Sequence, residues 1–213
     1  MSIVQRYLAG FEAVTTSVQR AKLTITKGAS EANLERLLAR FPASPAALLE
    51  LLRRMDGTHF RLYPGGTVAL LVLGSDLGGC PYYLRSVKQI LEYANASYRR
   101  DTLYEMYDGA PHISRDPYGP GIDPHVRLCD YLCFAECANN GGTSALYLDF
   151  NPAPGGTVGQ VVRFLHDPDE YRVIAPSFEA YLTLLMEADY PFVTDFYDDD
   201  NVEDEGTNDD DLD

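Results

Sequence analysis

The residues that could do chemistry in this 213-residue chain are four cysteines, four histidines and several carboxylates beside strand-like runs. Cys129, Cys133 and Cys137 form C-x3-C-x3-C, with Cys80 distant in sequence. On a helix the three thiols would share a face and could ligate zinc or an iron–sulfur cluster. Structural metal sites, however, match one C-x2-C to C-x4-C pair with a second such pair, which is missing here. The local pattern favours a strand, where the even spacing places all three on one side of a sheet as small buried hydrophobes. His166-Asp167 is a metal-site fragment in some hydrolases, but the further His and Asp ligands are lacking, and a strand end followed by the turn Asp167-Pro168-Asp169 is expected instead. His59, His112 and His125 form no H-x3-H or H-E-x2-H spacing. No serine sits in a G-x-S-x-G elbow. Gly65-Gly66-Thr67 and Gly155-Gly156-Thr157 both lack the Lys-Ser/Thr of a phosphate loop. Asp149-Phe150-Asn151 starts like a calcium loop but fails at Ala153, Gly155 and the twelfth position. No catalytic residue, metal or cofactor is assigned.

The elements that must hold these residues follow from the apolar spacing. From Ser2 to about Lys22, the positions Val4, Leu8, Phe11, Val14 and Val18 predict one amphipathic helix. Ser30 caps a helix running through Arg40, with Leu34, Leu37 and Leu38 inward and Phe41-Pro42 as the stop. Ser44-Pro45 starts the next, Ser as N-cap and Pro at the first helical position, and Asp56-Gly57 ends it. Thr58 to Tyr63 and Thr67 to Leu73 flank Pro64-Gly65-Gly66 and predict a hairpin, and Tyr82-Tyr83-Leu84 another strand. Ser86-Val87-Lys88-Gln89 matches a capping box, so a helix is expected from Val87 to about Tyr104. Asp108 to Pro124 reads as a long irregular loop, and loops of that length are often functional. Val126 to Cys137 and Ala145 to Phe150 predict a second hairpin turning at Asn139 to Gly142. Thr157 to Leu165, Tyr171 to Ile174 and a last helix from Phe178 to about Ala188, started by Ser177, complete the series. Without regular strand–helix alternation, the fold class is α+β, a largely antiparallel or mixed central sheet flanked by helices. The expected organisation is an N-terminal helix at 1–29 packed on an α+β domain at 30–190, then an acidic tail at 191–213.

Charge sharpens this division. The chain carries 32 acidic and 17 basic side chains, for a net charge of −15. Ten of the acids lie between Asp198 and Asp213, Asp198, Asp199 and Asp200 among them, with no base in that stretch. Such a segment repels itself and buries little, so it is expected to be disordered in isolation. Direct binding to nucleic acid is disfavoured, since it depends on Lys and Arg displacing counterions from phosphates. No apolar run approaches the roughly 18 to 20 residues of a membrane span. The opening residues Met1 to Arg6 lack the pattern of a secretion signal, and a cytoplasmic location is expected. Tyr82, Tyr83, Tyr93, Tyr98, Tyr104, Tyr107 and Tyr118 cluster around the central helix and long loop, and exposed ones would suit an interface.

Leu146-Tyr147-Leu148-Asp149-Phe150-Asn151-Pro152, then Gly155 to Val162, then His166-Asp167 and finally Val173 to Leu182 form an ordered series that resembles the SUKH superfamily. That group includes the fungal Smi/Knr-type cell-wall regulators and many bacterial immunity proteins. The paired helices ending at Met55-Asp56-Gly57 are similar as well, and the likeness spans about Ser30 to Met186. Within it, Asp149 and Asn151 are expected to shape a strand exit, Gly159 to permit close backbone approach, and Phe178 to anchor the last helix on the sheet. The resemblance implies a binding protein and not an enzyme. It points to an immunity protein that neutralises a cognate polymorphic toxin domain, of nuclease or deaminase type, by protein–protein contact. The alternative it leaves open is a regulatory or scaffolding module. The partner-binding residues expected are Asp149, Asn151, Asp167, Asp169 and Glu170 around the strand exits, Tyr107 and Tyr118 at the long loop, and Asp198, Asp199 and Asp200 in the tail.

Overall fold

Ser2, Thr16, Ser30, Ser86 and Ser177 each precede a helix, and each side chain accepts a hydrogen bond from the amide three residues on. At Ser2, Thr16 and Ser86 a glutamine at the third helical position reaches back to the cap amide, completing a capping box. These caps define five of the helices in the computed structural model, which describes residues 1–78, 80–107, 117–138 and 144–193. The helices are α1 (Ile3–Val14), α2 (Ser17–Ile25), α3 (Glu31–Arg40), α4 (Ala46–Arg54), α5 (Val87–Asn95), α6 (Leu103–Tyr107) and α7 (Phe178–Glu187).

The caps also explain where the expected helices were too long. The helix expected from Ser2 to Lys22 is two, because Thr16 caps a fresh start at Ser17 by accepting from the Gln19 amide; Val14 is then exposed and Tyr7 takes the buried position. The helix expected to reach Tyr104 ends at Asn95, and Thr102 begins α6. Thr102 exchanges hydrogen bonds with Glu105, whose amide donates to its hydroxyl (3.1 Å) and whose carboxylate accepts from its amide (2.8 Å). Ser44 does not cap α4: Pro45 holds that position, and the Ser44 hydroxyl donates to the Phe41 carbonyl at 2.7 Å.

The strands are β1 (Arg61–Tyr63), β2 (Gly66–Val68), β3 (Leu71–Leu73), β4 (Tyr82–Leu84), β5 (Leu132–Cys137), β6 (Ala145–Asp149), β7 (Gln160–Leu165) and β8 (Glu170–Ala175). The Thr67 to Leu73 run divides. Its start pairs with β1 in a small hairpin, and its end becomes the edge strand of a six-stranded meander, β3-β4-β5-β6-β7-β8, in which every pair is antiparallel. The fold is α+β as expected, with an antiparallel sheet where a mixed one had been allowed. The expected turn at Asn139 to Gly142 falls on residues 139–143, and part of the long loop on 108–116, both outside the described residues.

Two apolar cores lie on the two faces of the sheet. The larger joins α1, α3, α4, α5 and α7 to Leu132, Phe134, Leu146, Leu148 and Val161. Phe178 does anchor α7 there, meeting Phe134 edge-on at 5.3 Å between centroids. The smaller core is rich in tyrosine: Tyr93, Tyr131, Tyr147 and Tyr171 pack with Leu103, Ile122, Leu128, Cys133 and Val162 under the segment that links α5 to β5. The Tyr93 and Tyr147 hydroxyls bond each other at 2.6 Å, and burial drives both phenols well above the usual tyrosine range.

A register shift between Cys133 and Ala135 corrects the cysteine reading. The extra residue reverses the alternation of side chains, as a β-bulge does. Cys133 therefore lies in the smaller core and Cys137 in the larger, while Cys129 precedes the strand in a 3-10 turn. All are free thiols, and burial pushes the Cys133 thiol up to about 11, which keeps it protonated and unreactive. Among the described residues no three His, Cys, Asp or Glu side chains form a metal-binding group. No helix among them is long and apolar enough to cross a membrane.

Candidate protein-binding surface

The anticipated binding residues divide between the two ends of β7. Gln160 and Leu165 are its terminal residues, about 17 Å apart at the usual rise per strand residue. At the first end lie Asp149 and Asn151. At the second lie Asp167, Asp169, Glu170, Tyr107 and Tyr118. Asp198, Asp199 and Asp200 lie outside the described residues.

At the first end Asp149 is fully buried (0% exposed), and its carboxylate is committed to the turn. One oxygen accepts from the Asn151 amide and the other from Gln160 Nε2, both at 2.9 Å. Gln160 Nε2 also donates to the Gly121 carbonyl, and the Gly159 amide donates to the Asp149 carbonyl. Burial raises the Asp149 carboxyl above its ordinary range, against the pull of those donors. Asp149 thus cannot touch a partner in this conformation, which corrects its place among the binding residues. The reason is that its side chain completes an Asx turn facing inward. Asn151 is exposed, with its backbone in the same turn. Gly159 has open space around its α-carbon, so its requirement is the left-handed φ of 83° and not close approach.

The second end is built differently. β7 and β8 are joined by the turn His166 to Asp169, in which Asp167 adopts a left-handed φ of 61° ahead of a cis bond to Pro168. Asp167 is exposed, and Asp169 and Glu170 are half-buried. Asp169 takes a hydrogen bond on each oxygen, from the Tyr107 hydroxyl at 2.7 Å and from His166 Nδ1 at 2.8 Å. Tyr107 meets Tyr118 and Tyr171 edge-on, and Tyr171 stacks on Phe164 at 4.7 Å. The Tyr118 hydroxyl donates to the Leu103 carbonyl at 2.8 Å, while the Tyr171 backbone bonds both Pro117 and Gly119. Burial, reinforced by Tyr171 and Asp169, raises the Tyr107 phenol far above its usual value, so it stays a donor. Five of the expected residues therefore lie at one edge, where Tyr107 bonds Asp169 and three carboxylates reach the surface.

Arg163, which sequence reading missed, ties this edge to the rest of the sheet. Its side chain is buried; Nε donates to Asp76 at 2.7 Å and Nη2 to Glu170 at 2.9 Å. Burial opposes its charge, but Asp76 and Glu170 outweigh that and hold the guanidinium firmly protonated. A charge inside the apolar run Val161 to Leu165 was the available signal of a buried ion pair. His166, expected as a strand end ahead of the turn, also supports Asp169 through Nδ1.

Residues 1–107 hold 13 bases and 9 acids, whereas residues 108–193 hold 12 acids and 4 bases. No curated protein matches the chain. A family model described as the SMI1 / KNR4 family (SUKH-1) matches residues 28–184, from just before α3 into α7. The match includes both ends of β7 and omits α1, α2 and the acidic tail.

Proposed function

The chain belongs to the SMI1/KNR4 family (SUKH-1), and from that premise we propose that it is an immunity protein that binds a cognate toxin domain. Members of this family are generally non-enzymatic binding proteins, and they include both immunity proteins and cell-wall regulators. The observation that carries the immunity reading is the β7–β8 edge, where Asp167, Asp169 and Glu170 stand beside the half-buried Tyr107 and Tyr118, with Tyr107 bonded to Asp169. Tyrosines with fixed hydroxyls give contact area at little entropic cost, and carboxylates of one sign suit a partner that carries basic residues for nucleic acid. A nuclease or deaminase domain has such a surface, and covering it would deny the toxin its substrate. Asp198, Asp199 and Asp200 would add long-range attraction and faster encounter.

Neutralisation is the direct test. The toxin domain encoded beside the gene is expressed with the full chain and with Asp167→Lys, and cell survival is scored alongside binding of the purified pair. The full chain should protect and bind, and the charge reversal should weaken both by at least tenfold. Failure of the correctly folded full chain to bind or protect would remove the immunity reading and leave the regulatory module in its place.

A further inference from the structure

β1 and the residue ahead of it expose two large apolar side chains. Phe60 is 60% exposed and Leu62 75% exposed, on and just ahead of β1. Phe60 also adopts a left-handed φ of 46°, a strained conformation for a bulky residue and one that invites a functional explanation. One side of its ring rests on His59 (5.5 Å) and Tyr83 (5.6 Å), leaving the other outward.

Basic residues converge near this strand on a common hub, the buried Asp56. Its amide donates to the Lys27 carbonyl (2.8 Å), one carboxylate oxygen accepts from the Val87 amide beside Lys88 (2.8 Å), and the other accepts from Arg61 (3.0 Å). Arg54 lies two residues before the hub. Arg61 is paired with Asp56 and Lys88 with Glu92 (3.7 Å), whereas among the described residues neither Lys27 nor Arg54 has a carboxylate partner in an ion pair. Such a patch fits a segment that is acidic and carries aromatic or aliphatic residues.

The chain contains one. Residues 194–213 hold eleven acids and no base, with Val202 between Asp198-Asp199-Asp200 and Glu203-Asp204-Glu205. We propose that this C-terminal segment docks on its own Phe60–Leu62 patch, Val202 against the apolar pair and the carboxylates on either side of it on Lys27, Arg54 and Lys88. Reach permits it. The segment leaves at Val193, next to Phe192, which packs on Gly74 at the end of β3. Three residues back, Leu71 pairs with Tyr83, whose ring touches Phe60. That path is about 20 Å from strand geometry, and the nine residues from Val193 to Val202 span up to about 30 Å when extended. Tethering at this length supplies an effective concentration in the millimolar range, so individually weak contacts suffice. A basic partner approaching the acidic edge would then compete for the same segment, making its release part of recognition.

The experiment needs no toxin, so it stands or falls apart from the immunity reading. Zero-length carbodiimide coupling joins a lysine amine to a carboxylate in contact, and the chain has only Lys22, Lys27 and Lys88. The full chain is coupled at low salt, as a mixture of isotope-labelled and unlabelled protein, and the products are mapped by mass spectrometry. Tail carboxylates should join Lys27 and Lys88 within single chains, with the yield falling several-fold at high salt. The full-length double variant Phe60→Ser, Leu62→Ser keeps every charge and should also lower it several-fold, with an unchanged circular dichroism spectrum confirming the fold. Absence of coupling, an equal yield in the variant, or joins exclusively between chains would overturn the proposal.

Discussion

The two ends of β7 bear the same kind of residue, carboxylates in tight turns, and use them in opposite ways. At the Asp149 end the carboxylate points inward, with two internal donors and no exposure. At the Asp167 end the turn faces outward, and the carboxylates there are braced by Tyr107, His166 and Arg163 without being covered. Acidic turns beside strands are therefore not one class. What separates them is whether a long polar side chain, here Gln160, follows in the next strand to close over the carboxylate. The first end stabilises the fold, and the second is free to meet a partner.

The comparison can be broken most forcefully at its link. Arg163→Ala removes a large buried side chain, leaves Asp76 without its cation and leaves Glu170 with Arg172 alone at 3.8 Å, so we expect a loss of about 3 kcal/mol in a urea titration. A loss under about 1 kcal/mol would mean that the ion pairs of Arg163 do not hold this edge. Asp149→Ala should cost about 2 kcal/mol, because the Asn151 amide and Gln160 are left unsatisfied, while toxin binding stays intact once the protein is folded. Weakened binding by folded Asp149→Ala would restore that residue to the interface.

Asp149 also gives the first end a pH signature. Its carboxyl is raised in the folded state, so the folded chain takes up this proton before the unfolded chain does. Stability at this site therefore rises as pH falls toward the unfolded value of about 4, and the increment is lost as pH climbs through the raised folded value. Denaturation midpoints across that window should show the native protein gaining on Asp149→Asn as the solution is acidified. A constant difference would contradict the inward placement. Smaller still, Tyr107→Phe should cost about 1 kcal/mol through the lost bond to Asp169 and should loosen the hairpin edge, visible as faster amide exchange at His166 to Glu170. Unchanged exchange there would mean that Tyr107 does not brace this edge.

Much of this was legible in the chain. The caps at Ser30, Ser86 and Ser177 placed three helices, because a side-chain acceptor three residues before a free amide is a local signal. Tyr107, Tyr118, Asp169 and Glu170 were each among the expected binding residues, but that the tyrosines meet these acids at one edge, apart from Asp149 and Asn151, came only from the fold. The misses share a cause. The bulge that separates Cys133 from Cys137, the inward turn of Asp149 and the burial of Arg163 are all set by neighbours distant in sequence. Alternation and composition report local geometry, and they lose track of a side chain where one inserted residue reverses a strand. Thr16 and Thr102 are different, since each begins a T-x-x-Q or T-x-x-E pattern that reads as a helix start. Apolar spacing across those positions masked them.

The central claim is that recognition belongs to the Asp167 end and not to the Asp149 end. Association rates with the toxin domain encoded beside the gene, measured by stopped flow at two ionic strengths, test it most directly. Asp167→Lys should leave stability within about 1 kcal/mol of the native chain, the left-handed backbone there favouring Asp, and should slow association at least tenfold at low salt and flatten its salt dependence, while Asp149→Asn leaves the rate unchanged. Equal rates for the native chain and Asp167→Lys, or a slowing confined to Asp149→Asn, would contradict it.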